Sequence, residues 1–580
     1  MGVEGVNFQS AGQLTTHFIP GVFSRIDYVK SSGGGVSANN AVFVGESKGG
    51  EPGKVYWFYS PSEAMEALRG GPLLKAVLHA FSPGNDLTPQ FIGAIRANVG
   101  TKAFRVMRSG ATDILKVPAY DWGLHTNSVK MKLEEGSVQG TYKVSVEFEG
   151  NEQFIDEIKR LSFKIQYTGA GSAAVMNITK TGISTTVTGG DEGDNLEIAF
   201  DSYKTIEDLV NYINDHPNYT CLVMAENPKN ETAHLDSVSN ANIKTEYTAR
   251  SDLQAIIEAI RMSAFTGKDD VQFISSAPTR VIPDLDTGWV YFSGGTNGSS
   301  SVMAYSDAID KLESEDVNMV ATDTPDDAVH ILIRNHCINM NSTEGRKERS
   351  FLVGGDLGED VEEVMERARI LGSKFGSIAY PGGYSYDVLD YSKKEFVSPV
   401  FYAAKLIGQE ASLAINEPMT NKSVDFLSWE VDLKKGDMVK LIKAGVTVGG
   451  KSQDNRLATI RSVTTHQGSE LQCCERSMMR EAMYMARDLR NAYLSAIGKP
   501  GIDGSLGDVA ATFWTKVSTW HKMGLIVRDD KGNLAWGFNV RRVGSATFIE
   551  YHTYLTAPQN FFFITAFQHV YEGSDMAIAA

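Results

Sequence analysis

The sequence predicts a multidomain α+β chain: a central α/β part interrupted by an inserted β-sandwich, an α+β C-terminal part, and extended arms at both ends. Three observations predict it. At 580 residues the chain exceeds one ordinary core, and roughly 150 residues per domain implies about three or four domains. Short apolar runs alternate with helical periodicity before residue 119 and again after 298, the pattern of a parallel sheet covered by helices. Between them the texture turns to Val-, Ile-, Phe- and Thr-rich runs separated by Gly-rich turns.

Composition narrows the function. A hydrophobic content of 42% with 22% charge provides real cores and argues against extensive disorder. A formal charge of −16 opposes phosphate binding, since nucleic-acid affinity comes largely from Lys and Arg. Four cysteines, Cys221, Cys337, Cys473 and Cys474, have no spacing of a disulfide framework and point to a reducing cytoplasm. No apolar stretch approaches the ~20 residues that span a bilayer, and residues 1–10 lack a secretory pattern. Neither a membrane nor a nucleic acid is expected as a partner.

The elements follow in order. Pro20-Gly21-Val22-Phe23-Ser24-Arg25 comes after the apolar lead His17-Phe18-Ile19 and opens a strand-like arm over 23–29, and Ser31 to Gly35 is a flexible break. Residues 40–45 and 90–96 read as strands, flanking two helices that start at Ser60-Pro61-Ser62-Glu63 and resume after Gly70-Gly71-Pro72. Within the insertion, 142–148 and 196–200 read as strands, and Ile206, Leu209, Val210 and Ile213 mark one helix. Gly294-Gly295-Thr296-Asn297-Gly298 turns sharply from a strand at 289–292 into a helix carrying Tyr305, Ala308, Ile309 and Leu312. Strands at 318–321, 349–355 and 378–380, with helices at 361–371 and from Ser398, restore the α/β texture. Strands at 446–448 and 457–465, helices at 478–497 and around Phe513, and strands at 537–543, 546–555 and 561–570 complete the chain.

No catalytic residues emerge. Ser350 and Ser398 lack the helix entry of a serine-protease nucleophile, and no Asp, His and Ser set is specified by context. The glycines at 294–298 lack the Lys-Ser/Thr of a P-loop. His330, His336 and Cys337 lie beside apolar Val329, Ile331, Leu332 and Ile333, which favours core histidines over a metal site. Asp323, Asp326 and Asp327 precede a helix and read as caps. No metal and no cofactor is expected.

The PGVFSR and GGTNG segments, Asn98-Val99-Gly100-Thr101-Lys102-Ala103, and the helix from Ser398 to Gly408 resemble the contractile tail sheath proteins of tailed phages. That resemblance implies a subtilisin-like topology for the central domain at 31–118 and 286–444, and an outward-facing β-sandwich at 119–285. It also implies a sheath C-terminal domain at 445–559, between an N-terminal arm at 1–30 and a C-terminal arm at 560–580. In such proteins the arms add strands to sheets of neighbouring subunits. Here Phe18, Val22, Phe23, Ile26 and Tyr28 would anchor one arm, and Phe561, Phe562, Phe563, Ile564, Phe567 and Val570 the other. The implied protein is a non-enzymatic virion component assembled in the host cytoplasm. Its copies would stack as hexameric rings around a tail tube, with baseplate and tail terminator proteins as further partners, and contract to drive the tube through the host envelope. Lys516 and Lys522 are the candidate tube contacts. Other readings of the residues are the sheath of a phage-tail-like bacteriocin or secretion system, a subtilisin-like hydrolase, and a carbohydrate-binding tail protein.

Overall fold

The computed structural model describes the backbone of residues 6–10 and 13–17 and, in full, residues 36–224, 228–501, 504–563 and 565. Its centre is an eight-stranded sheet in the order Leu457–Arg461, Val446–Lys451, Gly376–Tyr380, Ser350–Gly354, Met319–Thr322, Ala41–Gly45, Ile92–Arg96, Val55–Phe58. The six inner strands run parallel, and an antiparallel strand closes each edge. Inner runs such as Ala-Val-Phe-Val-Gly are buried along their whole length, because helices cover both faces and no face is left to be polar. Helices Pro61–Leu68, Pro72–Phe81 and Pro399–Ser412 pack on one face. Helices Val302–Lys311, Asp327–Met340, Val361–Leu371 and Lys435–Lys443 cover the other.

Two expected boundaries shift. Strands Val446–Lys451 and Leu457–Arg461 belong to the central sheet, so a C-terminal domain beginning at 445 would cut that sheet. The hairpin Phe104–Ser109/Thr112–Pro118 buries Met107, Ile114, Leu115 and Val117 with Val129, Met131 and Ile256 of the insertion, so the insertion begins near 103 rather than 119. In both cases the apolar pattern of a strand reports that one face is buried and not against what.

The insertion holds two cores. One joins the hairpin to a four-stranded sheet, Asn151–Ile158, Tyr142–Phe148, Lys130–Glu135 and Val290–Tyr291, under helix Asp252–Met262. The other joins a three-stranded and a four-stranded sheet around helix Ile206–Asn214, whose Ile206, Leu209, Val210 and Ile213 are all buried as their spacing predicts. The chain leaves and re-enters the central part as one antiparallel pair: Thr101 and Thr296 exchange backbone hydrogen bonds of 2.9 and 3.2 Å, and Phe104 and Ser293 do the same at 2.9 and 3.1 Å. Buried Arg96 ties this neck together, donating to the carbonyls of Gly50, Asn98, Trp122 and Asn297 at 2.7–3.1 Å.

A fifth core lies near the C-terminus, where helices Arg476–Tyr493 and Ser505–Lys522 enclose Met485, Phe513, Val517 and Trp520. The hairpin Trp536–Val543/Ala546–His552 lies on it, and Tyr554–Leu555 pairs with Ile526–Val527. The long strand expected over 546–555 thus breaks at Thr553. Near the N-terminus, Val6–Ser10 pairs with Gln13–His17.

Candidate inter-subunit surface

The C-terminal hairpin is built on an aromatic cluster. Phe513 on helix Ser505–Lys522 stacks on Phe538 with 4.4 Å between ring centroids and meets Tyr551 at 4.7 Å, so alternate hairpin residues face the helix. The other residues point to solvent, and among the described residues the sheet has two strands, with no described residue paired to either backbone edge.

After the hairpin the chain is tied down and then released. Thr556 donates its backbone N–H to Leu525 and its hydroxyl to Gly524 (3.0 and 2.6 Å). The Asn560 amide donates to the Glu475 carboxylate at 3.0 Å. Beyond that anchor Phe561, Phe562 and Phe563 are 67%, 77% and 92% exposed, with the Arg461 guanidinium 5.6 Å from the Phe561 ring centre. Residues 561–563 and 565 form no strand in the single chain. Candidates Ile564, Phe567 and Val570, and Phe18, Val22, Phe23, Ile26 and Tyr28 of the other arm, lie outside the described residues.

Lys516 and Lys522 separate. Lys516 forms a 2.7 Å ion pair with Asp488, whose other oxygen accepts from the Trp520 indole at 2.9 Å, so this lysine is committed inside its own subunit. Lys522 is exposed in the last turn of the helix.

The weighed catalytic and metal candidates sit in packed surroundings. Ser350 accepts from buried Arg476, which also meets Glu410 at 2.7 Å, the Ser377 hydroxyl and the Phe351 carbonyl. Ser398 is the N-cap of Pro399–Ser412. The imidazoles of His330 and His336 are buried, which pushes their pKa values down to about 4 and about 3; His330 meets the Thr324 carbonyl and His336 the Arg349 guanidinium. Cys337 is buried beside Arg349 and its thiol is pushed up to about 12. Asp326 caps its helix, accepting from the N–H of Ala328 at 2.8 Å. Asp323 does not cap: it is buried against Gly45–Glu46, accepts from the Glu46 N–H and the Tyr305 hydroxyl, and is pushed up to about 7 by burial. Local sequence could not reveal this, because Asp323 answers to the backbone N–H of a residue 277 positions away.

Sequence reasoning missed the arginines of helix Arg476–Tyr493. Arg480 donates to Asn39 and to the carbonyls of Leu413 and Ala414, and Arg487 donates to the carbonyl and hydroxyl of Ser37. Their spacing, together with Arg476 and Arg490, was the available signal.

No protein-family model matches the chain. The chain is 28% identical over 527 residues to the tail sheath protein of Bacillus phage SP01, covering 87% of this chain and 88% of that one. It is 24% identical over 454 residues to the tail sheath protein of Staphylococcus phage Twort, covering 72% and 75%. Two solved sheath tail proteins share the fold: that of Desulfitobacterium hafniense with a TM-score of 0.55 at 14% identity over 92% of this chain and 97% of its own, and that of Listeria innocua with a TM-score of 0.52 at 12% identity over 90% and 96%. Over most of its length the chain is therefore similar to tail sheath proteins of phages.

Proposed function

We propose that this chain is the structural subunit of a contractile phage tail sheath. The observation that carries the proposal is similarity to a phage tail sheath protein over 87% of the chain, far more than a shared site or single domain would leave. The geometry supports it at the C-terminus. Three adjacent exposed phenylalanines follow the last anchored residue, and a hairpin neither of whose edges pairs with a described residue lies in the same body. An apolar segment and an unpaired edge are the two halves of strand addition: ladder hydrogen bonds give affinity and alternate side chains give register.

In this reading the segments 1–30 and 560–580 pair with sheets of neighbouring copies, and the hairpin Trp536–Val543/Ala546–His552 is a recipient. Subunits form stacked hexameric rings around a tail tube, between baseplate and terminator proteins, with Lys522 toward the tube. The central part has a subtilisin-like topology and the core around Ile206–Asn214 is the outward sandwich domain. On triggering, subunits rotate nearly as rigid bodies while the arms keep neighbours joined. Assembly takes place in the host cytoplasm and the finished protein sits in the virion tail.

Electron microscopy of the purified full chain beside a version ending at residue 559 tests this. Striated tubes from the full chain and none from the shortened one are expected. A full chain that stays monomeric across concentration and salt would overturn the proposal.

A further inference from the structure

The described residues that adjoin both terminal segments, 37–39 and 560, are fastened to one helix. Arg476, Arg480, Arg487 and Arg490 stand on one face of Arg476–Tyr493, at spacings of four, seven and three residues. That face crosses the starts of the central strands: Arg476 reaches Ser350 and the Phe351 carbonyl, and Arg490 pairs with the Glu348 carboxylate. The segment leaving the N-terminal arm is caught between helix and sheet. Arg487 donates to the Ser37 carbonyl at 3.1 Å and to its hydroxyl at 3.2 Å, and Arg480 donates to the Asn39 side chain at 2.6 Å. From the sheet side Asn318 donates to the same Ser37 carbonyl at 3.3 Å and accepts from the Asn40 N–H at 2.9 Å. The void left among Ser37, Ala38, Arg480, Met483, Tyr484 and Arg487 is only about 20 Å³.

The other end is held at the start of the same helix. Glu475 accepts from Asn560 and from Arg461, and Leu555 packs against the same core as Tyr484 and Leu489 of the helix. From Glu475 to Arg487 is twelve residues, about 18 Å along the axis. Pulling out residues 37–39 would strip one acceptor from buried Arg480 and two from Arg487, whose side chain is 12% exposed, leaving Arg480 the carbonyls of Leu413 and Ala414 and Arg487 that of Glu348.

We propose that helix Arg476–Tyr493 is a crossbar that carries tension between the N-terminal and C-terminal arms, with Arg480 and Arg487 as the positioning residues that grip the N-terminal root. The force path bypasses the insertion and the exposed hairpin. This rests on the reading of both chain ends as inter-subunit arms.

The test compares the full chain with Arg480→Met/Arg487→Met by hydrogen exchange and by single-molecule pulling on the two chain ends. Exchange at residues 36–40 is expected to rise by about ten-fold or more while 350–354 stays protected, and the first rupture to move to lower force. Unchanged exchange at 36–40, or an unchanged first rupture, overturns the crossbar. Should the double variant fail to fold, Arg487→Lys keeps the charge but loses the fork that reaches several acceptors; it is expected to move both readouts the same way by less, and its matching the parent chain would equally overturn the proposal. Neither readout requires tubes, so a parent chain that forms none contradicts the arm reading and not the grip.

Discussion

Gly298 has a φ of +70°, and a Cβ added there would lie 1.9 Å from the Val99 carbonyl oxygen, so backbone must move to admit any side chain. Gly298→Ala should destabilise the neck by about 1–3 kcal/mol, read as a lower first unfolding transition with the second insertion core unaffected. Arg476 and Glu410 form a buried pair with side chains 3% and 4% exposed. Arg476→Met strands the carboxylate and should cost about 3–5 kcal/mol, whereas Arg476→Met/Glu410→Leu should recover most of it; a double variant no better than the single would show that the pair is not the source. Glu481 is fully buried, and burial pushes its pKa up to about 8, outweighing the Thr556 backbone N–H nearby, which favours the charged form. A carboxyl whose folded value lies above its unfolded one binds a proton on folding. Its contribution to stability therefore falls as pH rises from about 4.5 and levels off above about 8. Glu481→Gln should gain stability relative to the parent chain, on the order of 2 kcal/mol, between pH 5.5 and 8.5. A pH-independent difference in thermal midpoint would count against this.

Elements follow the same physics at longer range. Helix Val361–Leu371 is closed by a capping box, Asp360 accepting from the N–H of Glu363 while Glu363 accepts from the N–H of Asp360, and by Gly372 in the left-handed region at its end. Its bounds were therefore readable from sequence. The C-terminal hairpin could be anticipated as two strands, but not that no described residue pairs with either of its edges. Val543 and Ala546 flank a two-residue turn and form a hydrogen-bonded pair, so by alternation Thr547 and Val540 direct their N–H groups away from the partner strand. Thr547→Pro and Val540→Pro each remove one outward donor without breaking the hairpin's own ladder. If neighbours add strands here, one of the two variants should fold normally by circular dichroism yet form no tubes, and which one identifies the edge used. Tubes from both variants would exclude the hairpin as a recipient.

The whole molecule carries a formal charge of −16, so copies repel one another as they assemble. Association through backbone ladders and apolar side chains should then strengthen when salt screens that repulsion. Raising ionic strength from about 0.01 to about 0.1 M shortens the Debye length from about 30 to about 10 Å, and light scattering should show a lower concentration threshold for tubes. A threshold that rises with salt would mean that ion pairs between copies dominate.

Sequence by itself determined the inner strands of the central sheet, most of the helices and the β-rich character of the insertion, because burial on both faces, one stripe or alternate residues each writes a local pattern. It also carried the family resemblance. Only the tertiary structure decided that 446–461 closes the central sheet, that 104–118 packs into the insertion, that Asp323 belongs to Glu46, that Lys516 is held by Asp488, and that four arginines of one helix grip the start of the sheet. Each of these depends on a partner tens to hundreds of residues away, and local periodicity records that a face is buried without recording what lies against it.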